Sequence, residues 1–130
     1  AKYFSDGIKA HMDQLDTYDA CSAIAGAARD AYVAAHPLVA GRELEQINTQ
    51  YWIASFLNGP EAFANFRRSG YPALAANPYG QPNNPDVPVG TFIRRIGYPT
   101  SELSVNSANV NAAVATMGPD KLSTKLWWDK

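Results

Sequence analysis

The segment LEQINTQYWIASFLNGPEAFANFRRSGYP, from Leu44 to Pro72, constrains this chain more than any other, because it spells out a helix, a stop and a second helix. Leu44, Ile47, Tyr51 and Ala54 recur at helical spacing, and from Tyr51 through Trp52 to Leu57 the side chains are apolar on almost every face. That pattern predicts a helix buried all round. Asn58 and Gly59 predict its end, since glycine tolerates the left-handed conformation that follows a helix C-terminus. Pro60 and Glu61 restart the chain. Proline loses nothing in a first turn, where its N–H would have no partner, and the carboxylate meets the positive end of the helix dipole. Arg67 and Arg68 fall in the last turn, and Gly70, Tyr71 and Pro72 close the segment. The expected structure is a helical hairpin over about 43–58 and 60–69.

Helical spacing also governs the flanks. Tyr3, Ile8, Met12 and Leu15 predict a helix over about 3–15, after which Asp16 or Thr17 is placed to cap the next one. The alanine-rich run that carries Ile24, Ala28, Tyr32 and Ala35 on one stripe predicts a helix over about 18–35, broken by His36, Pro37 and Gly41. Leu103, Val110, Val114 and Met117 predict another over about 101–117, capped by Thr100 or Ser101 and stopped by Gly118 and Pro119. Residues 71–99 hold six of the nine prolines together with Gly80, Gly90 and Gly97, which forbids continuous helix and predicts an irregular loop. Thr91–Ile96 is its one extended candidate, so the chain is expected to contain at most one short strand. Leu126, Trp127 and Trp128 are too apolar for a free tail, and at least one tryptophan is expected to dock on a core. The fold class is mainly α, one domain or part of one, built of paired helices with short links, as in helical repeats whose units need neighbours to cover their faces.

Composition excludes several functions. A formal charge of −1 over 130 residues gives no field to attract nucleic acid or an anionic membrane surface. Cys21, the only cysteine, allows no internal disulfide, and its alanine-rich setting predicts a small, buried, hydrophobe-like thiol. His11 and His36 lie 25 residues apart and Cys21 has no partner cysteine, so no metal site is expected. The glycines form neither a phosphate-binding loop nor a dinucleotide fingerprint, no nucleophile-elbow motif occurs, and no cofactor is expected. Glu43, Glu45, Glu61 and Glu102 each fall where a helix begins, and a stabilised helix N-terminus explains them better than a catalytic pair does. The pairs Arg67–Arg68 and Arg94–Arg95 are built to fork onto carboxylates or hydroxyls. Neighbours in a helix point about 100° apart, so one of Arg67 and Arg68 is expected to bind carbonyls or a buried carboxylate while the other is solvated. The best candidates for ligand contact are Tyr79, Asn83, Asn84 and Asp86, a flat ring with short amide and carboxylate groups of the kind that holds a sugar, although the same residues also serve turns.

Three runs in order, LEQINTQYWIASFLNGPEAFANFRRSGYPAL, FIRRIGYPTSELSVNSANVNAAVA and KLWWDK, give the chain a resemblance to the C-terminal part of the SusD/RagB-like outer-membrane lipoproteins. GIKAHM, at Gly7–Met12, resembles the family's preceding helix. The motif positions are Trp52, Asn58, Gly59, Glu61, Arg67, Arg68, Gly70, Tyr71, Pro72, Arg94, Arg95, Trp127 and Trp128. The resemblance implies a tetratricopeptide-related helical scaffold and a non-catalytic protein at the cell surface of Bacteroidetes-type bacteria. It implies capture of an oligo- or polysaccharide, or another nutrient, for a TonB-dependent transporter of the SusC-like kind. It also implies membrane attachment only through a lipid on a cysteine near the mature N-terminus. Cys21 follows no signal sequence and does not fill that role, so these residues are expected to be a C-terminal fragment of a longer protein. Apolar faces parted from their scaffold predict self-association of the isolated piece. A module that contacts the transporter rather than the ligand is the alternative function, and a glycosidase the third.

Overall fold

A computed structural model describes residues 1–76 and 86–130. The chain divides into two compact units, residues 1–66 and 67–130. Helices supply the regular structure, and no strand occurs among the described residues. Thr91–Ile96 forms no strand and bends at Arg95; the amides of Arg94 and Arg95 both donate to the carbonyl of Leu122, at 2.7 and 3.2 Å.

The first unit is built on α1 (Lys2–Gln14), α2 (Gly26–Ala35) and α3 (Glu43–Ala54), and it takes in most of α4 (Gly59–Ser69). α1 packs against both α2 and α3. Ile8 of α1 is buried, while Tyr3, which the spacing placed on the same stripe, is 89% exposed. Two ion pairs join α1 to α2: Lys9 with Asp30 at 2.9 Å, and Asp13 with Arg29 at 2.6 Å.

The helix expected over 18–35 begins only at Gly26. Asp19 intervenes. Its carboxylate accepts the amide of Cys21 at 2.9 Å and starts a short 3-10 turn, Ala20–Ser22, after which Ala23 and Ala25 are extended. A local side-chain cap thus outweighs the helical preference of alanine. Cys21 lies exposed on this turn, not buried as its neighbours suggested.

The hairpin keeps its two helices but moves the punctuation. α3 stops at Ala54, where the Ser55 hydroxyl bonds back to the Tyr51 carbonyl at 2.9 Å and the Phe56 amide reaches Ile53 at 3.1 Å. The left-handed residue is Leu57, with φ 69°, while Gly59 opens α4. Nor is the segment buried all round: Tyr51, Trp52 and Ile53 are half exposed, and Phe56 and Leu57 are 80% and 91% exposed. Of the other helices of this unit only α1 packs on α3, and Tyr51, Trp52 and Ile53 stay half open.

The second unit takes the last turn of α4 and adds α5 (Thr100–Val105) and α6 (Ser107–Met117), which pack together. The single helix expected over 101–117 is broken at Asn106, with φ −128° and ψ 29°. The Asn106 amide group donates to Glu102 at 2.8 Å, and its side-chain oxygen accepts from Asn109 at 2.6 Å, so one asparagine ends α5 and starts α6. Val110 of α6 is buried. Gly70, with φ 76°, ends α4 as expected of a glycine after a helix.

Three carboxylates of the first unit titrate below their ordinary range. Asp30 is held down chiefly by its hydrogen bond to Lys9, Glu43 by backbone hydrogen bonds where α3 starts, and Glu45 by Arg42. A carboxylate lowered on folding stabilises the fold above its unfolded pKa, and that contribution is lost as pH falls through the folded value. Helix content at low ionic strength should therefore hold from neutral pH down to about 5 and decline below about 4. Asp30→Asn should flatten part of that decline in a circular dichroism titration. An acid profile unchanged by the substitution would remove Lys9–Asp30 as its source.

Candidate ligand-binding site

The second unit gathers its polar side chains around two arginine–aspartate pairs. Arg94 meets Asp129 at 2.8 Å, with the Asp129 side chain fully buried and that of Arg94 14% exposed. Arg95 meets Asp120 at 2.8 Å, and Asp120 also accepts the backbone amide of Tyr98 at 3.1 Å. Each guanidinium lies over a ring, Arg94 over Phe92 at 5.7 Å and Arg95 over Tyr98 at 5.0 Å. The chain bends at Arg95, and Arg94 and Arg95 each engage a different aspartate.

Arg67 joins this cluster from the last turn of α4. It donates to the Arg94 carbonyl, and its guanidinium sits 4.7 Å from the Trp128 ring. The Lys130 amide donates to the Arg67 carbonyl at 2.8 Å and so satisfies one of the carbonyls a helix end leaves open. Trp128 is the docked tryptophan, and Trp127 beside it is 96% exposed. Arg68, 100° round the helix, lies at the surface. Charge, ring and carbonyl meet within this cluster, which is the chemistry of a packing core, and the buried Oδ2 of Asp129 accepts no hydrogen bond there.

The first unit holds a groove of about 820 Å³ between α1, α2 and α3. Phe4, Met12, Tyr32, Ile47, Tyr51 and Phe56 line it. Two of its polar pairs are internal: Gln50 donates to the Tyr32 hydroxyl at 2.9 Å, and the Tyr51 hydroxyl donates to Glu61 at 2.7 Å, while the His11 ring also lines the groove. The walls suit an apolar surface better than a sugar, which needs several aimed hydrogen-bonding groups.

Tyr79, Asn83 and Asn84 lie outside the described residues. Asp86 is exposed, and its carbonyl accepts the Ser123 amide at 3.0 Å. The motif residues of the hairpin serve local structure. The Asn58 side chain accepts the Glu61 amide at 3.4 Å, and the Tyr71 amide donates to the Ser69 hydroxyl at 3.0 Å ahead of a cis bond to Pro72. Glu61 and Glu102 occupy first turns of α4 and α5 and accept from Tyr51 and Asn106. Among the described residues no group of three His, Cys, Asp or Glu side chains is placed to hold a metal, and no helix is long and apolar enough to cross a membrane. Sequence reasoning missed Asp120 and Asp129 as the arginines' partners, because separations of 25 and 35 residues carry no local signal.

These features define a mainly helical protein whose charged clusters serve packing. The chain belongs to the SusD-like family, described as SusD and RagB outer membrane lipoproteins, whose family model matches residues 2–129. Among solved structures it is similar to a chitin-binding protein, at 38% identity and TM-score 0.83, over 100% of this chain and 28% of that one. It is also similar to a SusD-like protein from Bacteroidetes AC2a, at 36% identity and TM-score 0.82, over 99% of this chain and 25% of that one. The chain thus spans about a quarter of the length of these structures. None of the curated proteins matches it.

Asp129→Ala removes the carboxylate that a buried guanidinium faces, and a loss of about 3 kcal/mol is expected from breaking such a pair on one side. Urea unfolding followed by tryptophan fluorescence measures it. An unchanged midpoint would show that Arg94 and Asp129 add nothing to the second unit.

Proposed function

We propose that the chain is the C-terminal portion of a non-catalytic surface protein that captures a glycan and passes it to a TonB-dependent transporter in the outer membrane. The observation that carries this reading is the 38% identity, over the whole chain, to a chitin-binding protein of the same fold. Membership of a family of outer membrane lipoproteins supports the location, with the lipid anchor on a part of the longer protein outside these residues. Each carboxylate that a glycosidase would recruit has a local structural partner, which favours binding over turnover.

Within these residues, Tyr79, Asn83, Asn84 and Asp86 are the proposed sugar contacts, a ring face beside short polar groups. The ligand class the comparison suggests is a β-linked polymer of N-acetylated sugar, as chitin is. Sedimentation of the longer protein with insoluble chitin, alongside cellulose and starch, tests the reading. Retention on chitin that falls at least about tenfold on joint Ala replacement of Tyr79, Asn83 and Asn84 is expected, a loss of roughly 1.4 kcal/mol or more. Retention on none of the three polymers would end the glycan assignment, and retention indifferent to the substitutions would move the contacts elsewhere in the protein.

A further inference from the structure

Trp127 stands 96% exposed, and among the described residues of the second unit no other aromatic side chain is left open in this way. Its exposure is not that of a loose end. The Asp129 amide donates to the Leu126 carbonyl at 3.0 Å and closes a turn with Trp127 and Trp128 at its corner. Trp128 then lies against the Arg67 guanidinium, Asp129 pairs with Arg94, and the Lys130 amide donates to the Arg67 carbonyl, so the residues after Trp127 are held. An apolar side chain on a helix face, as on α3, is placed for a neighbouring helix, whereas the corner of a tight turn is the usual place of glycine, asparagine, aspartate and serine. A tryptophan there presents a broad apolar face on a fixed backbone, with few rotamers to immobilise when something lies on it.

The turn also adjoins the segment proposed to touch sugar. The Ser123 amide donates to the Asp86 carbonyl at 3.0 Å. Trp127 follows Ser123 by four residues, a reach of about 14 Å at most, so Asp86 and Trp127 fall on one part of the second unit. The face of an indole is electron-rich and takes a flat partner that offers C–H groups. A β-linked pyranose is such a partner, with axial C–H groups on its faces and its hydroxyl and N-acetyl groups spread around the edge.

We propose that Trp127 is a stacking platform for one sugar ring of the glycan, a β-linked N-acetylated pyranose, on the same part of the second unit as Asp86. The inference rests on the glycan reading and adds to it a residue that recognises the ring itself, where the short polar groups recognise its hydroxyls.

Retention of the longer protein on insoluble chitin tests this with Trp127→Ala and Trp127→Phe, alongside oxidation of the parent protein by N-bromosuccinimide, which attacks indoles open to water. Retention is expected to fall at least about tenfold in Trp127→Ala and no more than about threefold in Trp127→Phe, which keeps a ring face. The thermal midpoint of Trp127→Ala stays that of the parent, since a side chain so exposed adds little to packing. In peptide mapping, Trp127 is oxidised in the free protein. A soluble N-acetylated chito-oligosaccharide at about four times its Kd slows that oxidation about fivefold, in proportion to the fraction left unbound. Trp127→Ala retained as well as the parent, or a Trp127 that resists oxidation in the free protein, overturns the proposal and leaves the glycan reading standing. So does a lowered midpoint in Trp127→Ala, which would assign the ring to packing. A parent protein retained on no polymer fails at the glycan reading itself, and the platform falls with it.

Discussion

An apolar helix has to be covered on as many sides as it is apolar, and α3 is covered on one. The segment Tyr51–Leu57 carries large apolar side chains almost without interruption, yet α1 packs on one flank and the far flank stays open. Much else in the first unit follows from that imbalance. The helices are short, their charged pairs lie at the surface where water screens them, and only Ile8 and Phe66 act as buried apolar anchors. The groove lies on the flank that α3 shares with α1, where Phe4, Met12, Ile47 and Tyr51 line one apolar space.

The second unit answers a similar shortage of apolar core in another way. Arg94 and Asp129 are drawn inside as a pair, Arg95 and Asp120 lie beside a ring, and Arg67 bridges a helix end to Trp128. A buried pair of this kind is costly to break from one side, though its net contribution is small against a well-packed apolar substitute. Its benefit is register. Asp129 on Arg94, Trp128 on Arg67 and the Lys130 amide on the Arg67 carbonyl together hold Leu126–Lys130 in place.

How far the sequence discloses this can be judged from particular residues. Helical spacing located all the main helices because periodicity reports the buried face directly, and Glu61, Arg67 and Gly70 marked the ends of α4 correctly through the dipole and the left-handed turn. It overran where a polar side chain competes with the backbone: Asp19 delays α2, Ser55 and Leu57 shorten α3, and Asn106 splits α5 from α6. The spacing also said that Tyr51–Leu57 should be buried, and the physical reason it is not is the want of a covering neighbour. The partners of Arg94 and Arg95 were illegible, since contacts across 25 to 35 residues leave no trace in local pattern. Of the proposed ligand contacts, Asp86 alone falls on described residues, where it is exposed.

The family is secured by the match over residues 2–129, and the structural likeness extends over the whole chain but only about a quarter of its counterparts. The central proposal is that this chain is one section of a longer SusD-like protein whose remainder covers the open face of α3. Hydrogen exchange on the amides of α3 measures that most directly, compared between the 130-residue chain at low concentration and the longer protein. The account predicts that Ile47–Ala54 exchange at least about a hundredfold more slowly in the longer protein, since covering the open face converts local opening into global unfolding. Equal exchange in both would contradict it.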